Sequence, residues 1–180
     1  MHDEFEVVLP NVEPLELVPG FGVLPNATFE IDEEGIGMVL IEVAYAPNLG
    51  RLVAESVKVS VDHGEEVTGT TLRAVRVQQI IRNASTQMTY LRLPSGEWES
   101  DSYPFDNLDL IRGLKTRVEL EDMALRQHVI GHLLNLSPLK LVSEVLNVSQ
   151  STATRLVAAA RVRVKATGWK EDDHVARFLK

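Results

Sequence analysis

No cysteine occurs among the 180 residues, which excludes disulfides, thiolate metal sites and cysteine nucleophiles. No window approaches the ~18 consecutive apolar residues that a bilayer-spanning helix needs. The N-terminal MHDEFEVVLPNVEP carries acids where a secretory signal has a basic start and an apolar run, so none is expected there. Aromatics make up only 6% of the chain, and Trp98 and Trp169 read as packing residues rather than stacking platforms. Neither a phosphate-binding loop nor a GxSxG elbow is present. Gly20-Phe21-Gly22 is not set between a strand and a helix, as a dinucleotide site requires. The expectation from these gaps is a cytoplasmic chain that is not an enzyme, holds no cofactor and meets no membrane.

Basic residues are also short overall, 18 against 26 acidic ones, for a net charge of −8. Their distribution matters more than the total. From Ser137 to Lys170 the bases Lys140, Arg155, Arg161, Arg163, Lys165 and Lys170 face a single acid, Glu144. The first 136 residues hold 10 basic and 22 acidic side chains. A basic module joined to an acidic one gives that asymmetry. With 44% apolar and 24% charged residues, the composition is that of an ordinary folded chain.

Residues 1–26 contain Pro10, Pro14, Pro19 and Pro25 with Gly20 and Gly22, which oppose a long helix, so they read as an extended or irregular arm. Three strands are expected next, at 27–31, 37–46 and 51–61. In the third, Val53, Val57, Val59 and Val61 share one face, the period of two of a half-buried strand. Asp32-Glu33-Glu34-Gly35 and Pro47-Asn48-Leu49-Gly50 supply turns for an antiparallel meander. After a turn at 62–64, the period changes. Leu72, Val75, Ile80 and Ile81 mark the inner side of a helix over 68–83 that would cover the sheet. Residues 84–107 read as a polar linker with one short strand near 88–93, and everything from 108 onward as helix. The expected class is therefore α+β: an α+β domain with its linker at 27–107, then an all-α domain at 108–180.

Three helices can be placed in that last part. The first spans 119–136, with Leu120, Met123, Ala124, Ile130 and Leu134 at helical spacing. Ser137 as N-cap and Pro138 at the first helical position start a short second helix, 139–146, with Val142 and Leu146 inward. At Asn147 the chain must turn sharply, and asparagine tolerates positive φ best after glycine. Val148 fills the corner, and Ser149 caps a third helix, 150–163. Ala153, Leu156, Val157, Ala160 and Val164 form its inner stripe. Gln150, Ser151, Thr154 and Arg155 stand outward, side chains that can reach base edges in a major groove, arginine toward guanine and glutamine toward adenine. Ser149 and Thr152 accompany them at the helix start. Arg161, Arg163, Lys165 and Lys140 are placed to hold the flanking phosphates.

The segment LKLVSEVLNVSQSTATRLVAA resembles the helix-turn-helix of repressors and other bacterial regulators, with Asn147 where glycine is usual. The order of parts also resembles a group of uncharacterised actinobacterial and actinophage proteins. In those, segments like RLVAESVKVSV and VTGTTLRAVRVQQIIR precede a C-terminal helix-turn-helix, so the likeness covers about residues 51–82 and 119–163. It implies double-stranded DNA as partner but no named function; the leading expectation is a sequence-specific regulator of transcription. A phage DNA-packaging or architectural adaptor and a protein-interaction module without DNA binding stand as alternatives. Sheet edges in the acidic half and the short reading length of one helix-turn-helix lead to an expected homodimer through that half. His128 and His132 stand four apart, but no third ligand accompanies them, so they read as ordinary histidines rather than a metal site. The acids in the turns read as solvated rather than catalytic.

Overall fold

The computed structural model describes residues 5–61, 65–101, 116–169 and 178. The turn read at 62–64, the stretch 102–115 where linker was to give way to helix, and Lys170 of the basic segment lie outside them.

Mixed α+β structure is observed, with two antiparallel four-stranded sheets and five helices among the described residues. The first sheet has the order β1-β4-β5-β6, from strands Phe5–Val8, Asn26–Glu33, Gly37–Ala46 and Arg51–Ser60. Its last three strands are the expected meander, with Phe29 opposite Ile41 and Ile41 opposite Val57. Gly37 adopts φ +98 at the β4–β5 turn, and a Cβ there would lie 2.5 Å from the Ser60 carbonyl oxygen. The second sheet has the order β2-β3-β7-β8, from Leu15–Val18, Phe21–Val23, Thr89–Arg92 and Trp98–Ser100.

Two expectations are corrected here. The arm at 1–26 contains three strands, and Leu17, Phe21 and Val23 within it are no more than 1% exposed. Its prolines do oppose a helix, but they fall in the connections and leave the apolar runs between them free to pair. The linker at 84–107 holds the short strand expected near 88–93, as β7, but more besides: a helix continues to Met88, and β7 pairs with β8 in a hairpin whose turn carries Gly96 at φ +91.

The helix expected at 68–83 is two helices, α1 (Gly69–Ala74) and α2 (Val77–Met88). Thr68 starts α1 with a capping box, but Val75 (ψ 116) and Arg76 (ψ 65) leave the helical region and break the run. Leu72, expected inward, is 56% exposed, whereas Ile80, Ile81, Ala84 and Met88 of α2 are buried against β4, β6 and β8.

The remaining helices are α3 (Arg117–Leu133), α4 (Pro138–Val145) and α5 (Gln150–Ala166). Thr116 and Glu119 form a capping box at the start of α3. That helix packs against α4 and α5 and also contacts β2 and β6. It is therefore buried on several sides, and Glu121, Arg126, Gln127 and His128 are buried along with its apolar residues. Arg126 forms a buried ion pair with Asp101, just after β8, and its guanidinium lies 5.6 Å from the centre of the Phe21 ring. The buried apolar residues make one cluster that runs from Leu17 in β2 to Val164 in α5 and Phe178. Sheets and helices thus share a core.

Candidate nucleic-acid interface

The α4–turn–α5 unit is built from local rules. Ser137 precedes Pro138 at the start of α4, and Val142 is fully buried on its inner side. Gly131 lets α3 and α4 approach closely, since a Cβ there would meet the Pro138 Cα at 2.6 Å. Asn147 takes φ 51, the left-handed conformation that reverses the chain with little penalty for asparagine. Ser143 clamps the turn: its Oγ donates to the Val148 carbonyl at 2.5 Å, while the Val148 N–H donates to the Ser143 carbonyl at 3.0 Å. Val148 is partly buried against the core.

Ser149 then caps α5, its Oγ accepting from the Thr152 N–H at 3.2 Å. It also lies 2.9 Å from the Ser151 Oγ and 3.0 Å from the Thr152 Oγ1. Ala153, Leu156, Val157, Ala160 and Val164 are the buried residues of α5, the same stripe that the spacing predicts. Gln150, Ser151, Thr154 and Arg155 are exposed. The Thr154 Oγ1 donates back to the Gln150 carbonyl at 2.9 Å, and Arg155 Nη2 donates to the Thr152 Oγ1 at 3.3 Å. The Arg155 guanidinium therefore stays over the first turn, among hydroxyls. Lys165 is exposed further along, and Lys140 on α4 is exposed beside Glu144 at 3.6 Å.

Two of the expected phosphate contacts are committed elsewhere. Arg163 pairs with Asp122 of α3 through Nη2 and faces Glu121 at 3.8 Å, while Arg117 holds the other oxygen of Glu121 at 2.9 Å. Arg161 is half-buried and donates through Nε to the Phe178 carbonyl at 2.8 Å, and burial lowers its pKa. Both cations tie α5 to neighbouring chain instead of standing free beside a groove. The sequence spacing could not show this, because the partners are remote: Asp122 lies 41 positions from Arg163.

Beside Arg161, His128 stacks edge-on with His132 at 4.8 Å, and His132 meets the Phe178 ring at 5.8 Å. The His128 Nδ1 is buried and has no hydrogen-bond partner among the described residues. Burial, then the nearby Arg161 and His132, push its pKa down to about 3, so the ring is neutral. No group of three or more metal-ligating side chains is assembled among the described residues. No helix among them is long and apolar enough to cross a membrane. Compared with protein-family models, with curated proteins and with solved structures, the chain matches none.

Proposed function

We propose that the protein binds double-stranded DNA sequence-specifically and regulates transcription, with α5 in the major groove and α4 lying across the backbone. One observation carries this reading. The capped first two turns of α5 hold Gln150, Ser151, Thr154 and Arg155 outward together while the opposite stripe is locked into the core. That rigid, polar, hydrogen-bonding end is what base-edge recognition by a helix-turn-helix requires. Ser149 and Thr152 shape it. Lys140 and Lys165 supply charge for phosphates on either side, and the helix dipole makes the N-terminal end of α5 positive. A homodimer would bring two such helices to successive major-groove faces, ~34–36 Å apart.

Selection of duplexes from a random pool by the full-length protein tests the reading. A consensus should emerge, and its affinity should fall linearly on a log–log salt plot with a slope of about −0.9 per phosphate contact. A pool that shows no enrichment, together with no binding at low salt, would leave the helix-turn-helix as a protein-contact module.

A further inference from the structure

A basic stretch lies inside the acidic half of the chain. Between Val67 and Gly96 the sequence holds Arg73, Arg76, Arg82 and Arg92 and not one acid. Arg92 is paired with Glu16 at 3.3 Å. Arg73, Arg76 and Arg82 are exposed, and their guanidinium groups make no ion pair or hydrogen bond among the described residues. We infer that the outer face of α1 and α2 is a second DNA-contacting surface, one that holds backbone phosphates and reads no bases. The inference rests on the DNA reading above.

Packing does not account for this face. Helix α1 buries no residue at all, and α2 turns Ile80, Ile81, Ala84, Ser85 and Met88 to the core while Gln78, Gln79, Arg82 and Asn83 stand outward. Arg76 occupies the N-cap of α2, makes no side-chain cap hydrogen bond there, and no acid follows in the first turn. Serine, threonine or an acid is the favoured residue at that position, and a cation opposes the helix dipole. The arginine and the dipole therefore add in sign. Glu65 and Glu66 group with Asp32, Glu33 and Glu34 about the start of α1, and Glu55 and Glu99 are exposed on the strands that α2 packs against. No acid among the described residues comes within ion-pair distance of the three arginines, and Arg76 and Arg82 stand furthest along the chain from the acids at 65 and 66.

The chemistry of the face selects phosphate. A guanidinium meets a phosphate through two parallel N–H donors, and the amides between the arginines add neutral donors. An acidic peptide would also need an apolar anchor point, but no large apolar side chain of α2 is exposed. The helix-turn-helix itself is short of such contacts. Arg161 and Arg163 are engaged within the protein, which leaves Lys140, Arg155 and Lys165 to face a polyanion on a chain of net charge −8. Three free arginines on α1 and α2 make up that deficit.

The test is a salt series on the full-length protein with the selected duplex and a random duplex. The surface double variant Arg76→Ala, Arg82→Ala should melt as the wild type does and bind both duplexes about tenfold more weakly at low salt. Its log–log salt slope should be shallower by about 0.9 for each lost contact, with the preference for the selected duplex unchanged. Arg76→Lys, Arg82→Lys keeps the charge and should keep most of the slope. A wild type that selects a consensus, with a salt slope that the alanine variant leaves unaltered, would overturn this inference and leave the DNA reading standing. In that case Arg76-dependent capture of poly-L-glutamate would assign the face to an acidic protein instead. Loss confined to the selected duplex would also overturn it, since that is the mark of a base contact. A wild type that binds no duplex at any salt concentration would overturn both readings.

Discussion

Arg155 and Arg163 sit on one helix and are alike in sequence, yet the structure uses them differently. Arg155 projects from the exposed second turn, whereas Arg163 spans to Asp122 and Glu121 of α3. Arg163 and Asp122 remain partly exposed, at 34% and 54%, so solvent screens the pair. Arg163→Ala should accordingly cost less than ~1 kcal/mol in a denaturant titration and leave the salt slope of DNA binding unaltered. A slope shallower by about one unit would return Arg163 to the phosphate contacts. His128 offers a sharper residue-scale test. Its folded-state pKa of about 3 lies below the unfolded value of 6.5, so the unfolded chain takes up the proton first as pH falls. Its contribution is present above the unfolded pKa and is lost as pH drops from about 6.5 toward 3. Unfolding free energy should fall between pH 7 and 5, approaching about 1.4 kcal/mol per pH unit for this one group. His128→Gln should flatten that part of the curve, and identical pH slopes in variant and wild type would contradict the assignment.

At the scale of elements, Gly131 reverses an ordinary rule. Glycine inside a helix is usually improved by alanine, by up to ~1 kcal/mol. Here a Cβ would meet backbone of the next helix, the Pro138 Cα at 2.6 Å, so α4 would have to move. Gly131→Ala should lower the melting temperature and weaken DNA binding together; a stabilised variant would show that the α3–α4 contact is looser than described. This contact was not legible in the sequence, because nothing in the spacing of α3 tells which helix its glycine meets. The elements governed by local chemistry were legible: the 37–46 strand, the Ser137-Pro138 start, the positive φ of Asn147 and the inner stripe of α5. Elements governed by distant partners were not. The strands before residue 26 gain their place from β4 and β7, and the helix break at Val75–Arg76 follows no glycine or proline.

For the molecule as a whole, the charge contrast between the two halves suggested separable domains, whereas the buried residues form one cluster. The Asp101–Arg126 pair, under the Phe21 ring, joins the second sheet to α3 within it. Asp101→Ala strands a buried guanidinium and should cost ~3–5 kcal/mol. The double variant Asp101→Leu, Arg126→Met should recover much of that loss in the same denaturant titration. Melting of the wild type should follow a single transition seen alike by far-UV and near-UV signals. Two separated transitions would show that sheets and helices fold as independent units after all.

The central claim is that the first two turns of α5 read bases. It is tested most directly by a paired titration of wild type and Arg155→Ala on the selected duplex and on random duplex at one salt concentration. Arg155 is exposed and makes no core contact, so the variant should melt as the wild type does. Loss of a bidentate base contact should remove about 1–3 kcal/mol of discrimination, seen as weaker binding to the selected duplex with random binding nearly unchanged. Equal loss on both duplexes, or no loss on either, would contradict base reading by these turns.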